Sequence, residues 1–272
     1  MFNRLKRKKS VVRLPRLSRS APGGSAKNFF SPTFWATSDA DAFRKIMQTA
    51  TTHVAHGYHF ADNLFTWARN NSMLEDEAFV SAWATNAKSD SDKAIIWRRY
   101  VLACVAYHCI QLTGDFVECG AYTGVGVKTV MDYLGGPTFP KVFWLYDLFE
   151  HDPGMLHHPM AEHGPDLFAK VQEKFSGYPR VRIVRGNIPE VLRESGPTSV
   201  AYLHIDLNEA PAEIGALNEL FDKVVPGGIV ILDDYEWSGP YRSQKIAEDE
   251  WFEARKYRVL PLPTGQGLVF KR

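Results

Sequence analysis

The chain has 272 residues, 45% of them hydrophobic and 23% charged, with a formal net charge of +1. These values exclude a mostly disordered, collagen-like or coiled-coil chain, and the length is ample for a buried core. Nine of the 32 Lys and Arg lie in residues 1–27, which hold no acid, so residues 28–272 carry 23 basic against 31 acidic residues, a net of −8 that argues against nucleic acid as a partner.

The basic arm MFNRLKRKKSVVRLPRLSRSAPGGSAK ends in a Pro/Gly/Ser linker and lacks the apolar stretch of a secretory signal. It reads as a solvated, poorly ordered terminus or as a weak electrostatic anchor for an anionic surface. No run of 18 apolar residues occurs, so no transmembrane helix is expected. Cys104, Cys109 and Cys119 are too few and too clustered for a disulfide framework. They point to reduced thiols and a cytoplasmic location.

Residues 28–96 read as a helical region. Asp39 suits an N-cap for a helix carrying Phe43, Ile46 and Met47. Tyr58–Arg69 is expected as a second helix. Asp92–Leu112 is expected as a third, with Ile96, Tyr100, Ala103, Tyr107 and Ile110 on one stripe and Thr113-Gly114 as its stop.

After Gly114 the character changes, and short β-rich runs alternate with helices. Strands are expected at Asp115–Cys119, Val142–Asp147, Val181–Arg185, Val200–Asp206 and Gly228–Asp233. Helices are expected at Val127–Leu134, Asp166–Phe175, Ile188–Arg193, Pro211–Val224 and Gln244–Lys256. Arg258–Leu260 and Gly267–Lys271 read as a terminal hairpin. Continuous apolar strands alternating with helices argue for an α/β, doubly wound, Rossmann-like parallel sheet.

Glu118-Cys-Gly-Ala-Tyr-Thr-Gly124 leaves the first strand of that sheet and opens a helix. In such sheets ligands sit beyond the carboxyl ends of the strands, where strand order reverses. Gly120, Gly124 and Gly126 give G-x-x-x-G-x-G, which is not the dinucleotide pattern G-x-G-x-x-G. An acid two residues before the first glycine suits instead the ammonium and sulfonium of S-adenosylmethionine (SAM). Asp147 ends the second strand, where a carboxylate can accept both ribose hydroxyls. Ala121, Tyr122 and Thr123 between the glycines, and Asn187 after the third strand, complete the expected cofactor lining.

Asp206 ends the fourth strand, and Asp233 with Asp234 end the fifth. Neighbouring strands lie roughly 4.8 Å apart, so these carboxylates can converge. Either a hard cation such as Mg2+ sits among them and lowers the pKa of a substrate hydroxyl, or Asp234 caps the following turn and Asp206 acts alone. His204 shares a strand face with Asp206. It reads either as a base or partner in catalysis or as a satisfied core histidine. The long loop Leu148–Pro165 carries His151, His157, His158 and His163 and reads as a solvated, mobile cover over the site. Trp144, Tyr146, Tyr235 and Trp237 flank the strand ends, as pocket lining or as core.

With these residues in view, the chain resembles class I SAM-dependent methyltransferases, and among them the macrocin O-methyltransferase type, which methylates sugar hydroxyls. The resemblance covers about residues 97–272 and rests on DFVECGAYTG, LYDLFE, HIDLN, VVPGGIVILDDYEW and PLPTGQGLVF, in that order. It implies a seven-stranded sheet with an antiparallel last strand. It further implies a SAM site lined by Glu118, Gly120 and Gly124, with Asp147 on the ribose, and Mg2+ held by Asp206, Asp233 and Asp234. Asp206 would double as the base or hydroxyl-orienting group. The family pattern D-x-D-x-Y is here Asp206-Leu-Asn208-Glu-Ala, so an amide replaces the second acid and the tyrosine is absent. The implied acceptor is a saccharide or glycosylated small molecule. The unmatched N-terminal helices are expected to shape the acceptor pocket or a homodimer interface. Other readings are a SAM-fold scaffold without turnover, a nicotinamide dehydrogenase (against the glycine spacing) and a nucleic-acid methyltransferase (against the acidic body).

Overall fold

The computed structural model describes residues 14–16, 26–151, 153–155 and 159–272. Most of the basic arm therefore lies outside the described residues, as do His157 and His158. Within the arm, Leu14 packs against the hydrophobic core and the Lys27 ammonium donates to the Leu74 carbonyl (2.9 Å).

A small three-stranded sheet opens the described chain: β1 (Phe29–Phe30), β2 (Tyr58–Ala61) and β3 (Leu64–Trp67), with α1 (Ala40–Thr51) between the first two. Asp39 caps α1 as expected, accepting from the Ala42 N–H (2.9 Å). The expected helix over Tyr58–Arg69 is instead the β2–β3 hairpin. Its two-residue turn is Asp62-Asn63, with φ of 53° and 52°. A primed hairpin turn needs left-handed backbone at both central positions, which Asp and Asn tolerate. The flanking YHFA and LFTW are aromatic and β-branched, and cross-strand pairs such as Phe60–Phe65 outweigh a helical spacing.

Four helices follow: α2 (Ser72–Glu75), α3 (Glu77–Asn86), α4 (Asp90–Ala94) and α5 (Ile96–Cys109). The expected helix from Asp92 is thus broken at Ile95. The break lets the Asp62 carboxylate cap α5, accepting from the N–H groups of Trp97 (3.1 Å) and Arg98 (3.2 Å). The buried face of α5 carries Ile96, Leu102, Ala103, Ala106 and Cys109, whereas Tyr107, placed on the apolar stripe by its spacing, is exposed.

The remainder alternates as the apolar runs require. In chain order it comprises β4 (Asp115–Cys119), α6 (Val125–Tyr133), β5 (Phe143–Asp147), α7 (Leu167–Lys174), β6 (Val181–Arg185), α8 (Glu190–Glu194), β7 (Val200–Ile205), α9 (Ala210–Leu220), β8 (Val224–Leu232), α10 (Arg242–Ala254), β9 (Leu260–Pro261) and β10 (Gly267–Phe270). The seven strands lie in the order β6-β5-β4-β7-β8-β10-β9. All neighbours are parallel except β10, which runs antiparallel to both β8 and β9. This is the expected seven-stranded, doubly wound sheet with an antiparallel last strand.

Every residue of β7 is buried, because helices cover both faces. One core layer joins α3, α5 and α6 to the sheet through Phe79, Leu102, Phe116, Val130 and Tyr202. The other joins α8, α9 and α10 through Leu192, Leu203, Leu217, Leu232 and Phe252. Each such side chain contributes roughly 1.5–3 kcal/mol by leaving water. Strand order reverses between β4 and β7, so the crevice at their carboxyl ends is where this fold holds a ligand.

Candidate functional site

The register sets Glu118 of β4 directly beside His204 of β7, and His204 beside Ile231 of β8. The ladder continues past the strand ends. The Asp206 N–H donates to the Cys119 carbonyl (2.8 Å), and the Asp233 N–H to the Ile205 carbonyl (3.0 Å). Glu118, His204, Asp206, Asp233 and Asp234 therefore converge at one place.

The turn after β4 is held from two sides. The N–H groups of Gly120 and Ala121 donate to the Tyr146 carbonyl (2.8 and 3.3 Å). A Cβ on Gly120 would lie 1.8 Å from the Asp206 carbonyl oxygen, and its φ is +89°. The first glycine is thus demanded by the close approach of the β4 turn to the end of β7. Tyr122 sits at φ 44°, a costly conformation for a bulky side chain. It is clamped there. Its N–H donates to Asp147 Oδ2 (2.6 Å), its hydroxyl accepts from the Glu162 N–H (2.7 Å), and its ring meets His163 edge-on at 5.0 Å. The His-rich loop is accordingly tied to the glycine turn, with His151 stacked on His163. The other oxygen of Asp147 accepts from the Phe149 N–H (2.5 Å). Thr123 offers its carbonyl to the Lys174 ammonium. Asn187 is exposed in the loop after β6, where its carbonyl accepts from the Val191 N–H (3.1 Å).

Glu118 is 3% exposed, and its Oε2 has no aligned hydrogen-bond donor. The nearest is His204 Nδ1 at 3.2 Å, close enough for an ion pair but poorly directed. A buried anionic oxygen lacking a donor, beside a turn too tight for side chains, fits the charged amine of SAM. The imidazole of His204 also lies 3.3 Å from Asp233 Oδ1 through Nε2. Burial opposes its charge, but the two flanking carboxylates, Glu118 and Asp233, push its pKa up to about 10. His204 is therefore an imidazolium at neutral pH.

The acids at the end of β8 are not free. Arg98, from the first turn of α5, donates through Nη1 to Asp233 Oδ2 (2.6 Å) and through Nη2 to Asp234 Oδ1 (2.7 Å). Its Nε reaches the Thr264 carbonyl (3.3 Å), and its guanidinium lies 5.4 Å from the centre of the Trp237 ring. Gln266 Nε2 donates to the second oxygen of Asp233 (2.7 Å). Asp206 is half-buried and makes no ion pair among the described residues; the Asn208 amide approaches it at 3.4 Å. Burial, with the fields of Asp233 and Asp234, pushes its carboxyl well above the usual range. Glu213 of α9 accepts from the Leu207 N–H (2.9 Å), fixing the turn that follows Asp206.

These donors bear on the expected Mg2+ site. His204, Asp206 and Asp233 each offer an atom within 4.8 Å of the others, but His204 is charged and Asp233 already accepts from Arg98 and Gln266. Of this set only Asp206 keeps its oxygens outside an ion pair, fewer oxygen ligands than Mg2+ demands. Among the four flanking aromatics, Trp144 and Tyr146 belong to the core. They stack on each other, and their polar atoms bond to Asp115 and the Ser195 carbonyl. Trp237 does border the site, meeting Arg98 and the ring of Trp35.

Arg98, Asp62 and Glu213 were not singled out by the motifs. The one available signal was the Arg98-Arg99 doublet inside an otherwise apolar helix. Gln266 and Thr264 lie in the phrase PLPTGQGLVF, whose conspicuous features are its turn and its strand.

No curated protein sequence matches the chain. Among solved structures, the O-methyltransferase NovP superposes with a TM-score of 0.57 at 19% identity, covering 72% of this chain and 89% of NovP. CalS11, a calicheamicin methyltransferase, gives 0.51 at 16% identity, covering 70% and 83%. These likenesses establish the fold. The sequence profile of the Macrocin-O-methyltransferase (TylF) family matches residues 101–256, from α5 through α10. That stretch is more than half of the chain and contains the β4 turn, the acids ending β7 and β8, and the strands that bring them together, so the chain belongs to the macrocin-O-methyltransferase family and is a SAM-dependent O-methyltransferase.

Proposed function

We propose that this enzyme methylates a hydroxyl of a sugar or of a glycosylated small molecule, with Asp206 as the group that orients and deprotonates it. The observation carrying this is Asp206 itself. It is an acid at the switch-point crevice, outside every ion pair described, with a raised proton affinity that suits a base. The acceptor class comes from the family, and CalS11, of similar fold, is by its name a calicheamicin methyltransferase.

When bound, SAM supplies a methyl carbon on a cationic sulfur. Glu118, held beside protonated His204, would face its amine, and Gly120–Gly124 would carry it against the backbone. Asp147, with Asn187 beyond β6, would take the adenosine end, as the sequence pattern suggests. His204 has no free site to accept a proton. In this reading it is a positioning residue that orients Glu118 and Asp233. Alignment of hydroxyl and methyl by such fixed groups can supply roughly 7–11 kcal/mol of the barrier. A cytoplasmic setting goes with this reading, in keeping with unpaired Cys104, Cys109 and Cys119.

The test is methyl transfer from labelled SAM to a panel of nucleotide-sugars and glycosides, for wild type and Asp206→Asn. The variant should lose about 10²–10⁴ in kcat. Its affinity for S-adenosylhomocysteine should stay within a few-fold. Retained kcat would remove Asp206 from the role, and transfer only to non-saccharide acceptors would remove the acceptor class.

A further inference from the structure

The family pattern places three acids at the ends of β7 and β8, and this chain puts a guanidinium among them. Arg98 is 7% exposed and grips Asp233 and Asp234 at 2.6 and 2.7 Å. Three independent contacts set its place. Asp62, from the hairpin turn, caps the backbone of Arg98 and Trp97. The Thr264 carbonyl accepts from Nε, and the guanidinium carbon lies over the Trp237 ring, 5.4 Å from its centre. With Gln266 on the remaining oxygen of Asp233, that carboxylate has a donor on each oxygen. Arg98 is a permanently charged, planar fork whose two terminal nitrogens each meet a different carboxylate. A divalent ion seeking the same oxygens at about 2.1 Å would have to expel it.

We propose that Arg98 is the resident cation of this active site. Its guanidinium takes the place of a divalent metal between Asp233 and Asp234, so the enzyme transfers methyl groups without a metal and leaves Asp206 alone to handle the acceptor. Asn208, where the family pattern carries an acid, is consistent with this, because it leaves one carboxylate fewer beside Asp206 to attract a cation. The inference rests on the O-methyltransferase reading above and assigns the electrostatics of that same site.

The test uses the full chain and Mn2+ as probe, read by the loss of its free electron paramagnetic resonance signal. Wild type should leave Mn2+ free at concentrations where Arg98→Met, which uncovers both acids at similar volume, binds one equivalent. Wild-type turnover and S-adenosylhomocysteine binding should survive EDTA unchanged. Stoichiometric Mn2+ on wild type that disappears in Asp206→Ala would overturn the inference, as would turnover lost to EDTA and restored by Mg2+. Should Arg98→Met fail to fold, the wild-type Mn2+ and EDTA measurements decide alone. Calorimetry with S-adenosylhomocysteine on the same sample separates the two readings. Cofactor binding together with bound Mn2+ removes only the role of Arg98, whereas no cofactor binding removes the methyltransferase reading and this inference with it.

Discussion

Replacing Gly120 by alanine tests the geometry on which the site depends. The new Cβ would start 1.8 Å from the Asp206 carbonyl oxygen and 2.6 Å from its carbon, against an ordinary non-bonded separation of about 3.5 Å. The obstacle is backbone, so it cannot rotate away, and the ends of β4 and β7 must part by more than an ångström. Alanine at φ +89° adds about 1–2 kcal/mol of strain. Overpacking adds about 1–3 kcal/mol. Loss of the Asp206 N–H bond to Cys119 adds about 1 kcal/mol. The sum, about 3–6 kcal/mol, is a large share of the roughly 5–15 kcal/mol that holds a domain together. Guanidinium unfolding should show this loss. The folded fraction should bind S-adenosylhomocysteine at least about tenfold more weakly, equivalent to about 1.4 kcal/mol, because Glu118 and Asp206 sit on the two displaced strand ends. Gly177→Ala is the control. Nothing lies within 4 Å of its Cβ, and stability should be unchanged or rise by up to about 1 kcal/mol. If Gly120→Ala unfolds within about 1 kcal/mol of wild type and keeps its cofactor affinity, the close approach does not organise the site.

Two further outcomes follow from buried charges. His204 should stay an imidazolium through neutral pH and titrate near 10 by 15N NMR. Its raised pKa means that the stability it contributes is fully present below about 6.5 and is lost as pH rises through 10. Titration near 6.5 would show that Glu118 and Asp233 do not hold its proton. Asp62 is pushed up to about 7 by burial, against the pull of Arg98 and two backbone N–H groups. Its stabilising effect should therefore be present below about pH 4 and lost as pH rises through 7, by roughly 4 kcal/mol for three pKa units. Asp62→Asn, which keeps the turn but cannot ionise, should remove that slope in urea titrations between pH 4 and 7. Parallel curves for the two proteins would refute the assignment.

Asp62 also shows how the N-terminal region enters the chemistry. It occupies a left-handed turn position of a small accessory sheet, yet its carboxylate starts α5 and seats Arg98 against the acids of the main sheet. The unmatched segment is thus joined to the site by a polar chain running from hairpin to helix to carboxylate. Trp35 extends that joint by packing on Trp237.

Some of this was written in local sequence. The strands β4, β5, β7 and β8 read directly because strands covered on both faces are apolar runs, while edge strand β6 read from its β-branched alternation, and the acids and glycines stand at the ends where the chain turns. The β2–β3 hairpin did not read, because Asp-Asn is a weaker turn signal than Asn-Gly and aromatic residues occur in helices and strands alike. The roles of the acids after β8 did not read either. A carboxylate's partner is set by what folding brings within 3 Å, and Arg98 is 135 residues from Asp233.

The sheet, its switch point and the tight glycine turn after β4 were legible in the sequence, since they follow from periodicity, glycine placement and acids at fixed distances from strand ends. Tertiary structure alone decided the charge state of the site. His204 became a cation because two strands set it between carboxylates. Asp233 and Asp234 became a guanidinium clamp because α5 crosses behind them. Long-range electrostatics in a buried crevice depends on separations in space, which local pattern does not encode.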